Sequence, residues 1–348
     1  MALLLERGYN GTQSGGREDL SDLIANVDAR STPFTSMAKK GKKPGNVLMG
    51  WQMDAYEDPQ VTGTVDGTDV DMTSAGSFTN PAKNRALMQN YAQIFRRVFR
   101  VSSLANEIQV VAGVKSELAN GIAKKLVEIK RDMEMTFLND ADAQVDNGTN
   151  AYLTKSMGSF LHASGTGGGG SDITVPSAFR CTAIDTTASA SLAESNVQDV
   201  LKTLFTNTGI IRDYDLLLGT SLKRAFTNFT QSVTSTAATE SSHDVTASPI
   251  KTFNQEATSK SYINCIDLFE GDFGRLRLHP STFIAESGSA VAFKGYAIPF
   301  DQVEIRYGKL PQIKELTDNG GGPARLIEAV AALVVSNPKG VGYFNGAS

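Results

Sequence analysis

Cysteine is nearly missing from this chain, and its two copies, Cys181 and Cys265, stand far apart with no CxxC partner. That excludes a disulfide framework and the paired-thiolate zinc modules, which need closely spaced cysteines, and it suits folding in a reducing compartment. Histidine is as scarce: His162, His243 and His279 are isolated, without the HxH or HExxH spacing that brings two imidazoles onto one metal. No apolar run approaches the roughly 20 residues that cross a bilayer. Residues 1–15 hold only a short leucine run and no small-residue cleavage site, unlike a secretory signal. A soluble protein made in a cytoplasm is the expectation. Positive charge is not in excess either: 33 Lys and Arg stand against 37 Asp and Glu, a net charge of -4, which argues against dominant nucleic-acid binding. No fixed-period repeat is present, so a solenoid or propeller is not expected.

Catalytic constellations are thin as well. Ser36 to Lys39 spells SxxK, but the SDN and KTG companions of penicillin-binding enzymes are missing, with only Lys251-Thr252-Phe253 near that pattern. The glycine tract at 165–170 lacks the GK[ST] ending of a phosphate loop and reads as a linker. Three sequons, at Asn10, Asn147 and Asn228, mean nothing without a secretory route. No cofactor and no enzymatic activity are expected.

What is present is ordinary globular material: 41% hydrophobic and 20% charged residues over 348 positions, enough for one large domain or two smaller ones. Leu20, Leu23 and Ile24 predict one early helical turn at 19–25, and Pro33 blocks its continuation. Val47, Met49, Trp51 and Met53 alternate with more polar neighbours over 46–54, the period of a strand. A second extended run at 85–101 places Tyr91, Phe95, Phe99 and Val101 on one parity. Between them, 55–84 is rich in Gly, Thr, Ser and Asp, which predicts a long hairpin whose tip has no core of its own and needs another surface to lie on.

The strongest periodicity runs from 116 to 138. Leu118, Ile122, Leu126, Ile129, Met133 and Phe137 form one stripe of a long amphipathic helix, with Lys124, Lys125, Glu128, Lys130, Arg131, Asp132 and Glu134 on the polar face. Later segments predict helices at 195–205 and 221–229 and strands at 214–218, 262–269, 275–279, 303–307 and 325–335, with a Ser/Thr-rich surface excursion at 231–261.

Six of these segments keep a recognisable order: STPFTSMAKKGKKPGNVLMGWQMDAY, NYAQIFRRVFRVSSLA, LVEIKRDMEMTFL, DYDLLLGTSLKRAFTNF, EGDFGRLRLHP and LIEAVAALVVSNPKGVGYF. Together they resemble the tailed-bacteriophage major capsid proteins of the Hong Kong ninety-seven fold, in the subgroup of the phage SU-ten major head protein. The resemblance implies an α+β fold with an N-terminal arm at 1–45, an extended loop hairpin at 46–101, a peripheral domain at 102–151 holding the spine helix 116–138, an axial domain at 152–302, and strands at 303–348 returning to the peripheral domain. It also implies the function: hexamers and pentamers assembling into an icosahedral head around double-stranded DNA, in the bacterial host cytoplasm. A separate scaffolding protein and a portal would belong to that assembly, with no membrane, and the stretches 165–170 and 231–261 would be variable surface loops or docking points for a decoration protein. An encapsulin-like bacterial compartment shell is the alternative within the fold, and an enzyme on an α+β scaffold the alternative outside it.

Trp51, Tyr91, Arg131 and Asp132 are the candidate intersubunit or core anchors. Trp51 is the single tryptophan, and core packing is at least as good a reading as an intersubunit contact. Arg131 and Asp132 are adjacent on a helix, so they point apart and each needs its own partner. Lys39, Lys40, Lys42 and Lys43 form a basic loop, facing DNA or, as net charge favours, solvent or acidic patches of adjacent subunits. Arg96, Arg97 and Arg100 alternate across a strand and make no single patch. Residues 52–81 hold no lysine, and Lys83 lies at the hairpin base, so lysine-asparagine cross-links between subunits are not expected.

Overall fold

The computed structural model describes residues 31–57, 59, 61–70, 84–107, 116–166, 173–188, 191–229, 252–254, 261–263, 266–286 and 293–346. The early helical turn at 19–25, Cys265, His243, the glycine tract beyond Thr166 and most of the 231–261 excursion lie outside them.

The described chain opens with α1 (Pro33–Met37) and β1 (Lys39–Lys40). Proline occupies the first turn of α1, where its missing N–H costs nothing, so Pro33 starts a helix. Next come β2 (Leu48–Met53), β3 (Ala86–Tyr91) and β4 (Gln93–Arg100). The run expected as one strand over 85–101 is two, and the break has a consequence. Met88, Asn90 and Ala92 are buried before it and Phe95 after it, so the inward parity changes from even to odd. β2 and β3 form a two-stranded antiparallel ribbon with Trp51 opposite Met88, whereas β4 leaves to join another sheet.

After α2 (Ser103–Glu107) comes the spine, α3 (Glu117–Leu138), of 22 residues or about 33 Å at 1.5 Å per residue. Ser116 caps it, its side chain accepting the Ala119 N–H. Its buried stripe is Ile129, Met133, Glu134, Phe137 and Leu138, while Leu118, Ile122 and Leu126 are half-buried, so only the C-terminal half enters the core. Then follow α4 (Met157–Leu161), β5 (Ile184–Asp185), α5 (Glu194–Thr208), β6 (Arg212–Leu218), α6 (Thr220–Phe229), β7 (Thr252–Asn254), β8 (Ser261–Ile263), β9 (Leu268–Gly271), β10 (Gly274–Pro280), α7 (Thr282–Glu286), β11 (Lys294–Ile298), β12 (Val303–Leu316), β13 (Ala324–Val335) and β14 (Gly342–Asn345).

Two sheets organise these elements. The four-stranded sheet runs β1-β12-β13-β4 and packs on the spine; the six-stranded sheet runs β5-β14-β11-β6-β10-β9. β12 extends to Leu316, well beyond the expected end at residue 307. Gly308 and Pro311 interrupt the sequence signal, but register shifts after Tyr307 and Lys309 absorb both while pairing with β13 continues. Gly322 turns the chain into β13 at φ +105, and a Cβ there would lie 2.2 Å from the Val101 carbonyl, so only glycine fits.

Not all of 303–348 returns to the spine helix. β14 pairs with β11 and β5 in the six-stranded sheet, because Gly342, Tyr343 and Phe344 are apolar or small and buried on both faces. One core cluster nevertheless spans both sheets. At their junction Lys294 and the Tyr343 hydroxyl, at 3.2 Å, both reach Asp140 just past the spine, and the Tyr296 hydroxyl donates to the Leu138 carbonyl at 3.0 Å. The Tyr296 and Tyr343 rings stack in parallel 5.3 Å apart. No described helix is long and apolar enough to cross a membrane.

Candidate functional site

The surfaces of interest are built where the arm, the hairpin and the spine meet. Phe34, fully buried, lies edge-on to Phe137 of α3 at 6.1 Å and against Phe300 at 6.2 Å. Beside it, the Glu134 carboxylate accepts the N–H groups of Phe34 at 2.8 Å and Thr35 at 2.7 Å. These are first-turn donors of α1 with no partner inside their own helix. Sequence periodicity put Glu134 on the polar face; it is instead wholly buried. Burial raises its pKa, opposed by the two backbone hydrogen bonds. Its sequence position, between Met133 and Phe137, was the one available signal, but the donors it serves lie 100 residues away.

Asn90 is the second residue that pattern reasoning missed. Fully buried on β3, its Nδ2 lies 2.7 Å from the Leu333 carbonyl, 3.0 Å from Thr154 Oγ1 and 3.3 Å from the Lys155 carbonyl. Its Oδ1 accepts the Lys155 N–H at 2.7 Å. One side chain thus ties the hairpin to β13 and to the 154–155 segment. Lys155 itself is buried, pairing with Asp142 at 3.2 Å and donating to the Ile173 carbonyl, and burial lowers its pKa.

Trp51 packs at the hairpin root against the common core, its ring 6.2 Å from Phe160. Its indole Nε1 is buried and, among the described residues, has no hydrogen-bond partner. Tyr91 is half-buried with its ring 5.5 Å from Tyr152. Both are packed within their own chain. Arg131 and Asp132 do point apart: the Arg131 guanidinium lies over the Phe283 ring at 5.8 Å, and Asp132 takes a two-pronged contact from Arg97 at 2.7 and 2.5 Å. Arg96 turns to the opposite face, 2.7 Å from Glu328, which also meets Lys309 at 2.8 Å. Those two cations hold the Glu328 carboxyl down at about 2.

The Arg97–Asp132 pair is 43% and 31% exposed, so solvent screens it. Asp132→Ala is expected to lower subunit stability by less than about 1 kcal/mol in chemical denaturation, despite the good geometry.

The lysine segment is not wholly a loop. Lys39 and Lys40 form the edge strand β1, paired in parallel with Glu304 and Ile305 of β12, because the chain leaving α1 meets an open sheet edge; Lys42 and Lys43 follow in irregular backbone. All four are exposed, and among the described residues none makes an ion pair. Opposite in character, the hairpin tip carries Tyr56, Val61, Val65 and Val70 in the open, at 103%, 98%, 77% and 67% exposure.

No group of three or more His, Cys, Asp or Glu among the described residues is arranged to hold a metal. Cys181 is buried, donates to the Val341 carbonyl, and burial pushes its thiol up to about 12.

Comparison with known proteins bears out the family resemblance. Residues 7–348 match the family described as SU10 major capsid protein. A relative described as the major capsid protein of Escherichia phage Phieco32 is 31% identical over 144 residues, which is 41% of this chain and 38% of that protein. Among solved structures, the capsid of Myoviridae phage XM1 superimposes with a TM-score of 0.55 at 8% identity, covering 94% of this chain and 96% of the other. The holo-SrpI encapsulin complex of Synechococcus elongatus PCC 7942 does so with 0.52 at 8% identity, covering 95% and 92%. Structural likeness at such identities establishes the shared fold and does not separate phage heads from bacterial compartments.

Proposed function

Because the chain belongs to the SU10 major capsid protein family, we propose that it self-assembles, through hexamers and pentamers, into the icosahedral head of a tailed phage enclosing double-stranded DNA. The observation that carries this reading is the hairpin. Among its described residues, the segment beyond β2 exposes one aromatic and three valines to water, next to a ribbon of two strands. A surface of that kind is stable when another molecule covers it, and repeated copies of one subunit do so for each other. The role is structural and requires no cofactor. Its place is the virion capsid, with subunits made in the bacterial host cytoplasm. Partners are further copies of the chain, a separate scaffolding protein, the portal, a decoration protein, and DNA held without sequence preference. Trp51, Tyr91, Arg131 and Asp132 act in this scheme by fixing the root of the hairpin and the spine, so that the contact surfaces are presented rigidly.

Electron microscopy of the purified chain, alone and with a candidate scaffolding protein, is expected to show closed shells, rings or sheets in at least one case. A strictly monomeric protein at high concentration in both would sink the proposal, and copurifying enzyme cargo would favour a bacterial compartment. Denaturing gels of mature shells should show a single-chain band, since the hairpin has no lysine between 52 and 82. A ladder of covalent oligomers would show otherwise.

A further inference from the structure

Five asparagines in this chain precede a glycine: Asn10, Asn120, Asn147, Asn319 and Asn345, the first of them outside the described residues. Glycine has no Cβ to shield its amide nitrogen, so that nitrogen can reach the side-chain carbonyl of the residue before it. The structure treats the four described pairs differently. Gly121 sits inside α3 against Phe99, whose ring a Cβ there would approach to 2.5 Å. Gly346 is buried beside the Thr187 carbonyl and the Phe293 ring. Asn147 is exposed, but its Oδ1 accepts the Thr149 N–H at 3.1 Å and the Asn150 N–H at 2.8 Å. Asn319, alone among the described pairs, is exposed with no hydrogen bond on its side chain. It stands in the turn between β12 and β13, where Asp318 Oδ1 accepts the Gly320 N–H at 2.9 Å. Gly320 itself has φ +93 and open space around it. We infer that Asn319 is a self-modification site, converted through a cyclic imide with Gly320 to aspartate and isoaspartate, with Asp318 as the base.

The steps use atoms already in place. The Asp318 carboxylate takes the Gly320 amide proton, and the freed nitrogen attacks Cγ of Asn319. The bond from Cγ to the side-chain nitrogen then breaks, and that nitrogen leaves as ammonia, carrying the proton that Asp318 returns. Water opens the imide at either carbonyl, to aspartate or to isoaspartate, so the balance is one water in and one ammonia out. Turning the Asn319 side chain onto the Gly320 nitrogen breaks no hydrogen bond of the fold. Asn147 shares the Asp-Asn-Gly sequence, and Asp146 Oδ1 accepts the Gly148 N–H at 2.8 Å, but its side chain must first give up both of its own hydrogen bonds. It is therefore an internal control. A counter-ion for the product is also at hand. Arg100 makes no ion pair among the described residues, and its guanidinium lies beside Gly321, where a Cβ would meet Nη1 at 2.6 Å. The carboxylate created at position 319 arises in the field of that cation.

The inference is independent of the shell reading and is tested on the full-length chain. Wild type is held for weeks at mildly alkaline pH, folded and in guanidinium chloride, then digested with trypsin. Mass spectrometry with fragment spectra locates each deamidated residue, and isoaspartyl methyltransferase labels the isoaspartate. The tryptic peptide 315–325 contains Asn319 as its single asparagine. In the folded chain Asn319 is expected to convert about tenfold or more faster than Asn147, which two retained hydrogen bonds protect. In guanidinium chloride those bonds are gone, and the two Asp-Asn-Gly sequences should react at similar rates. Asp318→Asn keeps an acceptor for the Gly320 N–H but removes the base, so conversion at 319 should slow by about tenfold or more at an unchanged melting temperature. Asn319→Asp should leave peptide 315–325 without any mass gain over the same period. An Asn319 that stays intact in the folded chain overturns the inference, as do equal folded-state rates at 319 and 147. A difference between the two sites that persists in guanidinium chloride, or an Asp318→Asn chain that reacts as fast as wild type, overturns it too.

Discussion

Asn90→Ala is expected to destabilise the unassembled subunit by about 3–5 kcal/mol, since it strips partners from several buried polar groups, each worth about 1–3 kcal/mol when left unpaired. The Leu333 carbonyl and the Lys155 N–H, both inside the protein, lose contacts of 2.7 Å. Asn90→Asp is a sharper version. It keeps the size and one acceptor, but a carboxylate would face the Leu333 and Lys155 carbonyls where an amide donor stood. The buried acid should carry a raised pKa, so the variant is expected to regain stability as pH falls and lose it as pH rises. Urea denaturation of wild type and both variants at two pH values checks this. A loss below about 1 kcal/mol for Asn90→Ala would show that the network is dispensable.

The second large effect concerns the arm. Glu134→Ala removes the acceptor for two helix-start donors and leaves a void beside Phe34, and is expected to cost about 2–4 kcal/mol. Its pH dependence has a definite sign. The folded-state pKa of Glu134 lies above the ordinary carboxylate value of 4.5 because burial penalises the charged form. The folded chain therefore binds this proton more tightly than the unfolded one. The contribution is fully present below pH 4.5 and is lost as pH rises through the raised folded value. Glu134→Gln, neutral throughout, should flatten this component of the melting temperature against pH, while limited proteolysis should still find the arm docked. In Glu134→Ala, cleavage near Thr32 to Lys43 should accelerate. An unchanged pH profile in Glu134→Gln would mean that the carboxylate does not titrate in that window.

These two residues also mark what the sequence could and could not disclose. The spine was legible to within one residue at its start, since six apolar side chains repeat at helical spacing and Ser116 is a ready cap. Trp51's strand followed from its period of two, and the divergent directions of Arg131 and Asp132 from their adjacency on a helix. The break at Ala92 was not legible, because a strand changing sheets keeps its β-forming composition on both sides. β12's second half was hidden by Gly308 and Pro311, which signal an end wherever no neighbouring strand is there to absorb them. Asn90 and Glu134 were hidden for a different reason. A polar residue in an apolar stretch reads as a surface residue unless its partners are known, and these partners lie 243 and 100 residues away.

The same separations order events in time. Among the described residues β4 finds its strand partner in β13, and Asn90 closes its bond to Leu333 across most of the chain. A ribosome adding about 5–20 residues per second needs about 10–45 s to go from one strand to the other. Throughout that interval the growing polypeptide has its hairpin strands but no sheet to anchor them, and it cannot present a seated arm and a fixed spine together. The sheet that holds the root of the hairpin is therefore completed only when synthesis has passed β13.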